Sequence, residues 1–196
     1  MSVMEALFPA DVVPRSTHRV VPGVVHLPDV LSLADQRRLA AGSRDWPGTS
    51  ITGYGASRRR HVTTIPDWVT DLAHDALADA VGRDDSLDER FAPDGLLIAG
   101  VDQGVARRPA LRMHRISGAG PVVLLSVGDA CEFRIGGVAG TARTHHDILL
   151  DSGDVLVWGG PAREAHVGAP RTRPATAPEW CGLTGGWIGV AVTRAG

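Results

Sequence analysis

At 196 residues, with 43% apolar and 21% charged side chains, the chain is long enough for one packed core and too short for two full domains. A formal net charge of -2 excludes the strongly basic balance that tight non-specific nucleic-acid binding requires. No apolar run of about eighteen residues is present, so no membrane-spanning helix and no membrane partner are expected. The opening MSVMEALFPADVVPRS lacks the basic and apolar blocks of a secretory signal, which predicts a cytoplasmic protein. In that setting Cys131 and Cys181 are expected to be reduced and buried.

Taken in chain order, the first half reads as helical. Ser32 precedes LADQRRLAAG, where its hydroxyl caps a helix and Asp35 favours the positive end. Gly42 is the expected stop. A second helix is expected from Pro66-Asp67, with Val69, Leu72, Ala76 and Ala80 on one apolar face and Gly82 at its close. PGTSITGYGASRRRH (47–61) between them reads as a loop or hairpin. From Leu96 the texture changes to short apolar segments: LLIAGV, ALRMHRI, VVLLSV, ACEFRI, HDILL, DVLVW and IGVAVT. Gly-rich or Asp/Ser-containing turns separate them, with no alternation of strands and helices, so a sandwich or barrel is expected. PRTRPATAPEW (170–180) reads as a Pro-rich loop. Trp158 is expected in the core. If Phe133 packs inward, Glu132 points to solvent, and His145, His146 and Asp147 read as strand surface.

GDVLVWGGPAREAHVG (153–168) resembles the AlkB-family stretch of Gly, Asp, three apolar residues and Trp-Gly-Gly followed by a metal-binding His. PVVLLSVGDACEFRIGG (121–137) looks like that family's strand, turn and strand ending in Gly-Gly. LRMHRI (111–116) falls where the family carries its His-x-Asp ligands, and DGLLIAGVDQG (94–104) where it carries an Asn-x-Tyr pair. VTRAG (192–196) resembles its last strand with a closing Arg. The resemblance implies a mainly β (α+β) fold, a double-stranded β-helix or jelly roll with N-terminal helices packed on it. It implies one AlkB-like domain over 1–196, with residues 1–90 as the helical and lid portion and 91–196 as the jelly-roll core.

It also implies oxidative dealkylation of nucleic-acid bases, as in DNA repair, with Fe(II) and 2-oxoglutarate as cofactors. Two imidazoles and one carboxylate hold such an iron on one face and leave the rest open. Carried over by position, His114 matches the first ligand and His166 the last, while Ile116 stands where Asp is expected. Arg194 matches the closing Arg that clamps 2-oxoglutarate. Ile188 and Val190 fall where an inner Arg and an Asn are expected, and Ala99 and Val101 on the Asn-x-Tyr pair. Two imidazoles seldom hold a metal tightly; Asp102, Glu132 and Asp147 are the candidates for a third ligand. Ile116 is too bulky to open the halide position that a small residue creates in related halogenating enzymes. Leu124 and Ile116 make the same cavity more apolar. Arg58, Arg59 and Arg60 lie where the family builds its nucleotide lid, and read either as phosphate contacts or as a solvated loop. Three functions therefore stay open: a standard dioxygenase, an enzyme with a different metal or co-substrate, and a non-catalytic module binding nucleic acid or a small apolar ligand.

Overall fold

The computed structural model describes residues 15–51, 57–102, 115–136 and 145–194. Two helices and eleven strands follow in this order: β1 (His18–Val21), β2 (Val24–Leu27), α1 (Leu33–Asp45), β3 (Thr49–Ile51), β4 (Ser57–Val62), α2 (Asp67–Val81), β5 (Gly95–Val101), β6 (Ala119–Gly128), β7 (Ala130–Gly136), β8 (His145–Leu150), β9 (Val155–Trp158), β10 (His166–Arg173) and β11 (Trp187–Arg194). An eight-stranded sheet runs β1-β2-β9-β6-β11-β5-β4-β3, and a three-stranded sheet runs β10-β7-β8. Their pairings are antiparallel. This is the jelly-roll architecture that the strand spacing and the resemblance predict.

Alternation along the strands sorts the apolar side chains into two layers. On β11, Val190 and Val192 join Ile98 and Leu96 of β5, Val123 and Leu125 of β6, and Val155 and Val157 of β9 under the helices. Trp187 and Ala191 instead join Leu124, Leu156, Trp158, Phe133, Ile135, Val167 and Ala169 between the two sheets. The helices cover the first layer with Leu39 and Ala40 from α1 and Val69, Ala73, Ala76, Leu77 and Ala80 from α2. Cys131 lies in one layer and Cys181 in the other, both buried and neither in a disulfide.

Ser32 caps α1 as its position predicts, its hydroxyl accepting from the Asp35 N–H at 3.2 Å. The helix does not stop at Gly42 but continues to Asp45. Gly42 is small for another reason: a Cβ there would fall inside the volume of the Trp46 ring. The β1–β2 hairpin was not expected. It turns at Pro22-Gly23, where Gly23 takes φ +81° and donates its N–H to Asp84 Oδ2 at 2.6 Å. β10 corrects a second expectation, since residues 170–173 belong to a strand and not to a loop. The predicted strand over ALRMHRI falls mostly outside the described residues; its last two, Arg115 and Ile116, lie in irregular chain.

Candidate functional site

Described residues of the two sheets line a cavity between them. Leu97 and Ala99 of β5, Leu124 of β6, Trp187, Gly189 and Ala191 of β11, and Trp158 of β9 line it from the large sheet. Phe133 of β7 and Val167, Gly168 and Ala169 of β10 line it from the small one, and Ile116 closes a side. About 30 Å³ is open to the centre of a water molecule, room for roughly two waters or small carbon groups. Every lining side chain is apolar or absent apart from the indole nitrogens of the two tryptophans. That of Trp187 donates to the buried Ser126 hydroxyl at 2.9 Å. Gly189 is required by that ring: a Cβ on Gly189 would meet its edge at 2.5 Å and Leu124 at 3.1 Å. The β11 wall is thus an indole lying over a glycine.

The residues singled out by resemblance take separate places. Ile116 faces the cavity. His114 lies outside the described residues. His166 opens β10 opposite Gly136 and is exposed, while its neighbour Val167 is buried and lines the cavity. Arg194 ends β11 exposed, past a register shift between Val192 and Arg194. Ile188 and Val190 pack toward the helices, so the cavity-facing positions of β11 are 187, 189 and 191. Ala99 lines the cavity and Val101 joins its apolar layer. Glu132 points outward and pairs with Arg171 at 3.3 Å; Asp147 pairs with Arg134 at 2.6 Å. Asp102 is described but does not line the cavity.

Among the described residues, no three His, Cys, Asp or Glu side chains gather closely enough to hold a metal. Among the described residues, the lining set offers neither carboxylate, imidazole nor guanidinium to an iron or to 2-oxoglutarate, so these lining residues by themselves do not fit that pair. Of the arginine run on β4, the side chains of Arg58 and Arg59 lie outside the described residues. Arg60 is directed at α1, bonding the carbonyl oxygens of Ser43 and, at 3.3 Å, Arg44. A cation there satisfies the free carbonyls and negative end of the helix.

One residue beside the cavity had no part in the sequence reading. Arg163 follows the 3-10 turn Gly160–Ala162 and reaches back to residues 116 and 117. Its Nη1 donates to the Ile116 carbonyl at 2.7 Å and its Nη2 to that of Ser117 at 3.2 Å. Its Nε is buried, without an acceptor among the described residues. Burial, and then the nearby charge of Arg115, push its pKa down. The signal that could have found these positions was local. An apolar run, Val167-Gly168-Ala169, begins directly after the exposed His166, and Val167, the first of the run, is the residue turned inward.

No curated protein matches the chain by sequence. Its fold is similar to those of solved structures. OsALKBH1 superposes with a TM-score of 0.73 at 21% identity, covering 91% of this chain and 100% of its own. An oxidoreductase of the 2OG-Fe(II) oxygenase family from Burkholderia pseudomallei gives 0.56 at 14%, covering 88% of this chain and 85% of its own. HygX from Streptomyces hygroscopicus, solved with nickel and 2-oxoglutarate bound, gives 0.54 at 12%, covering 87% and 82%. At these identities the likeness concerns the fold. A family model for the 2OG-Fe(II) oxygenase superfamily matches residues 33–192. With most of its length matched, the chain belongs to the 2OG-Fe(II) oxygenase superfamily.

Proposed function

We propose that this chain keeps the oxygenase fold without the oxidative reaction, and that its cavity serves as a binding site for a small apolar group. The observation that carries the reading is Ile116, a branched hydrocarbon side chain in the cavity lining at the position where the resemblance puts the Asp ligand, with Val167 and not His166 lining the same space. A dicarboxylate entering this space gives up water at both ends. Each buried charge then needs roughly several kcal/mol of compensation from paired charges and hydrogen bonds. Trp187, Gly189 and Ala191 offer none from β11, and Leu97 and Ala99 none from β5. The exposed His166 and Arg194 support the same reading, since both lie away from the lining. Base dealkylation, the activity implied by the AlkB resemblance, is therefore not proposed for this chain. A nucleic-acid surface finds little support in Arg60, whose guanidinium is occupied by α1.

Calorimetry with 2-oxoglutarate, with and without Fe(II), and anaerobic Co(II) titration test this directly. The expected result is no saturable binding of 2-oxoglutarate at roughly millimolar concentration, about the weakest range that carries specific recognition. No succinate should form with a methylated oligonucleotide. A stoichiometric metal isotherm abolished by His114→Ala and His166→Ala, or a 2-oxoglutarate isotherm abolished by Arg194→Ala, would overturn the proposal.

A further inference from the structure

An indole N–H that leaves water without an acceptor is costly, so an open one marks a place where an acceptor can sit. Trp158 carries such a group. It is 1% exposed and lines the cavity between the sheets. No described residue accepts from its Nε1. Among the described residues, the buried side-chain nitrogen and oxygen atoms that are both unbonded and sealed from solvent are Arg163 Nε and Thr193 Oγ1. Trp158 Nε1 is not one of them, so it keeps accessible surface. Val24 and Val122, both fully buried, flank the residue on β2 and β6, and Phe133 lies 6.0 Å from its ring. The surface left to the indole is that of the cavity it lines.

The second tryptophan of the lining differs, because Trp187 Nε1 is taken by Ser126. Among the described residues the lining side chains thus present one free donor and no acceptor. We propose that the cavity binds a small neutral carbonyl compound, its oxygen accepting from Trp158 Nε1 and its alkyl groups lying against Ile116, Leu124 and Val167. The open volume suits a ketone or aldehyde of about three carbons, or the carbonyl end of a longer one.

The ligand class follows from matching donors to acceptors. A carbonyl oxygen satisfies the N–H and brings no donor of its own. An alcohol of the same shape accepts equally well, but its O–H is then left facing hydrocarbon. A hydrocarbon leaves the indole N–H unpaired, and a carboxylate brings a charge to lining side chains without a counter-charge. This inference rests on the reading that the cavity takes a small apolar group and does not serve iron and 2-oxoglutarate.

Acetone, propan-2-ol and 2-methylpropene share one shape and are the probes. Each is titrated into the full chain labelled with nitrogen-15, and the tryptophan indole signals are followed by NMR. Acetone should bind roughly tenfold more tightly than propan-2-ol, the size expected when one buried donor goes unpaired. It should also move the Trp158 indole proton downfield, with the other indole signals as controls. Trp158→Phe, which keeps a ring and removes the N–H, should bring the three affinities together. Ala99→Leu, which fills the cavity from β5, should weaken all three in a protein that keeps Trp158. An unmoved Trp158 signal under saturating acetone overturns the proposal, as does propan-2-ol or 2-methylpropene binding as tightly as acetone. Tight binding of 2-methylpropene leaves the apolar site standing and removes only its carbonyl preference. Binding of none of the three, or an Fe(II)-dependent 2-oxoglutarate isotherm, brings down the functional reading together with the inference.

Discussion

Asp154 shows how one residue of the recognition motif works. Its carboxylate is fully buried and accepts from both Arg15 Nη atoms at 2.7 Å, His26 Nε2 at 2.9 Å, and the N–H groups of Asp151 and Asp29 at 2.9 and 3.1 Å. Burial alone pushes its pKa up; the bonds from His26, Arg15 and the backbone together outweigh it and hold the group below the ordinary carboxylate range. Arg15 also pairs with Asp29 and Asp151, both at 2.8 Å. The cluster ties the chain before β1 to the turn before β9. A carboxylate whose folded pKa lies below its unfolded one stabilises the fold above the unfolded value, about 3.9, and loses that contribution as pH falls through the folded value. Asp151 works the other way, since burial raises its pKa. Asp154→Asn is expected to cost about 3 kcal/mol at neutral pH, because a neutral amide replaces the buried carboxylate to which Arg15, His26 and two backbone N–H groups donate. Urea unfolding of both proteins across pH checks this. The gap between them should shrink below about pH 4, and a gap independent of pH would show that Asp154 acts by shape and not by charge.

At the scale of elements, alternation and capping were legible wherever one strand or helix carried a regular pattern. β5, β6, β7 and β11 fall where the apolar runs place them, and α2 spans Asp67–Val81 between Pro66 and Gly82. β10 was hidden because Pro170 interrupts its pattern. The strand tolerates that residue at the edge of the small sheet, where the register shifts between Gly168 and Arg171. α1 was read too short because a glycine near a helix end ordinarily signals termination. Here it makes room for Trp46, which packs beside Trp68, itself covered by the Arg38 guanidinium at 4.0 Å. This gives a prediction of unusual sign. Gly→Ala inside a helix normally stabilises by about 1 kcal/mol. Gly42→Ala should instead destabilise by about 1 kcal/mol, since the Trp46 ring must leave its place against Trp68. Thermal unfolding followed by tryptophan fluorescence reads both parts. A higher melting temperature with unchanged fluorescence would mean that the helix admits the methyl group without displacing the ring.

For the whole molecule, the segment that carries the family resemblance is made of residues that hold the fold together. Asp154 is a buried hub, and Trp158 packs at 6.0 Å from Phe133 across the two sheets. Gly159 lies against Pro121, and Gly160 at φ +49° lies against Ser86 too closely for any Cβ. Such residues persist whether or not a metal is bound, so the motif identifies the architecture and says little about chemistry. The site was less legible. Which member of the His166-Val167 pair faces inward depends on where β10 begins, and a shift of one residue exchanges the faces. The parity of β11 likewise decides between Ile188 and Trp187 for the cavity wall. Once those faces are fixed, the space between the sheets is a continuous apolar core with a small gap, and it should respond to cavity creation as such cores do. Phe133 is 5% exposed and stands at the centre of that gap's small-sheet wall. Phe133→Ala should cost about 3 kcal/mol or more, from lost burial and an incompletely collapsed void. The enlarged space is bounded by Leu124, Trp158, Val167 and Trp187, with no charged group, so it should stay dry and accept an aromatic ring of the size removed. Benzene near saturation should then raise the unfolding midpoint of the variant and leave the unaltered protein almost unchanged, because a ligand stabilises only the state that binds it. A variant that loses under about 1 kcal/mol and ignores benzene would show that the two sheets close over the void, and that this cavity is held open by Phe133 and not by the frame around it.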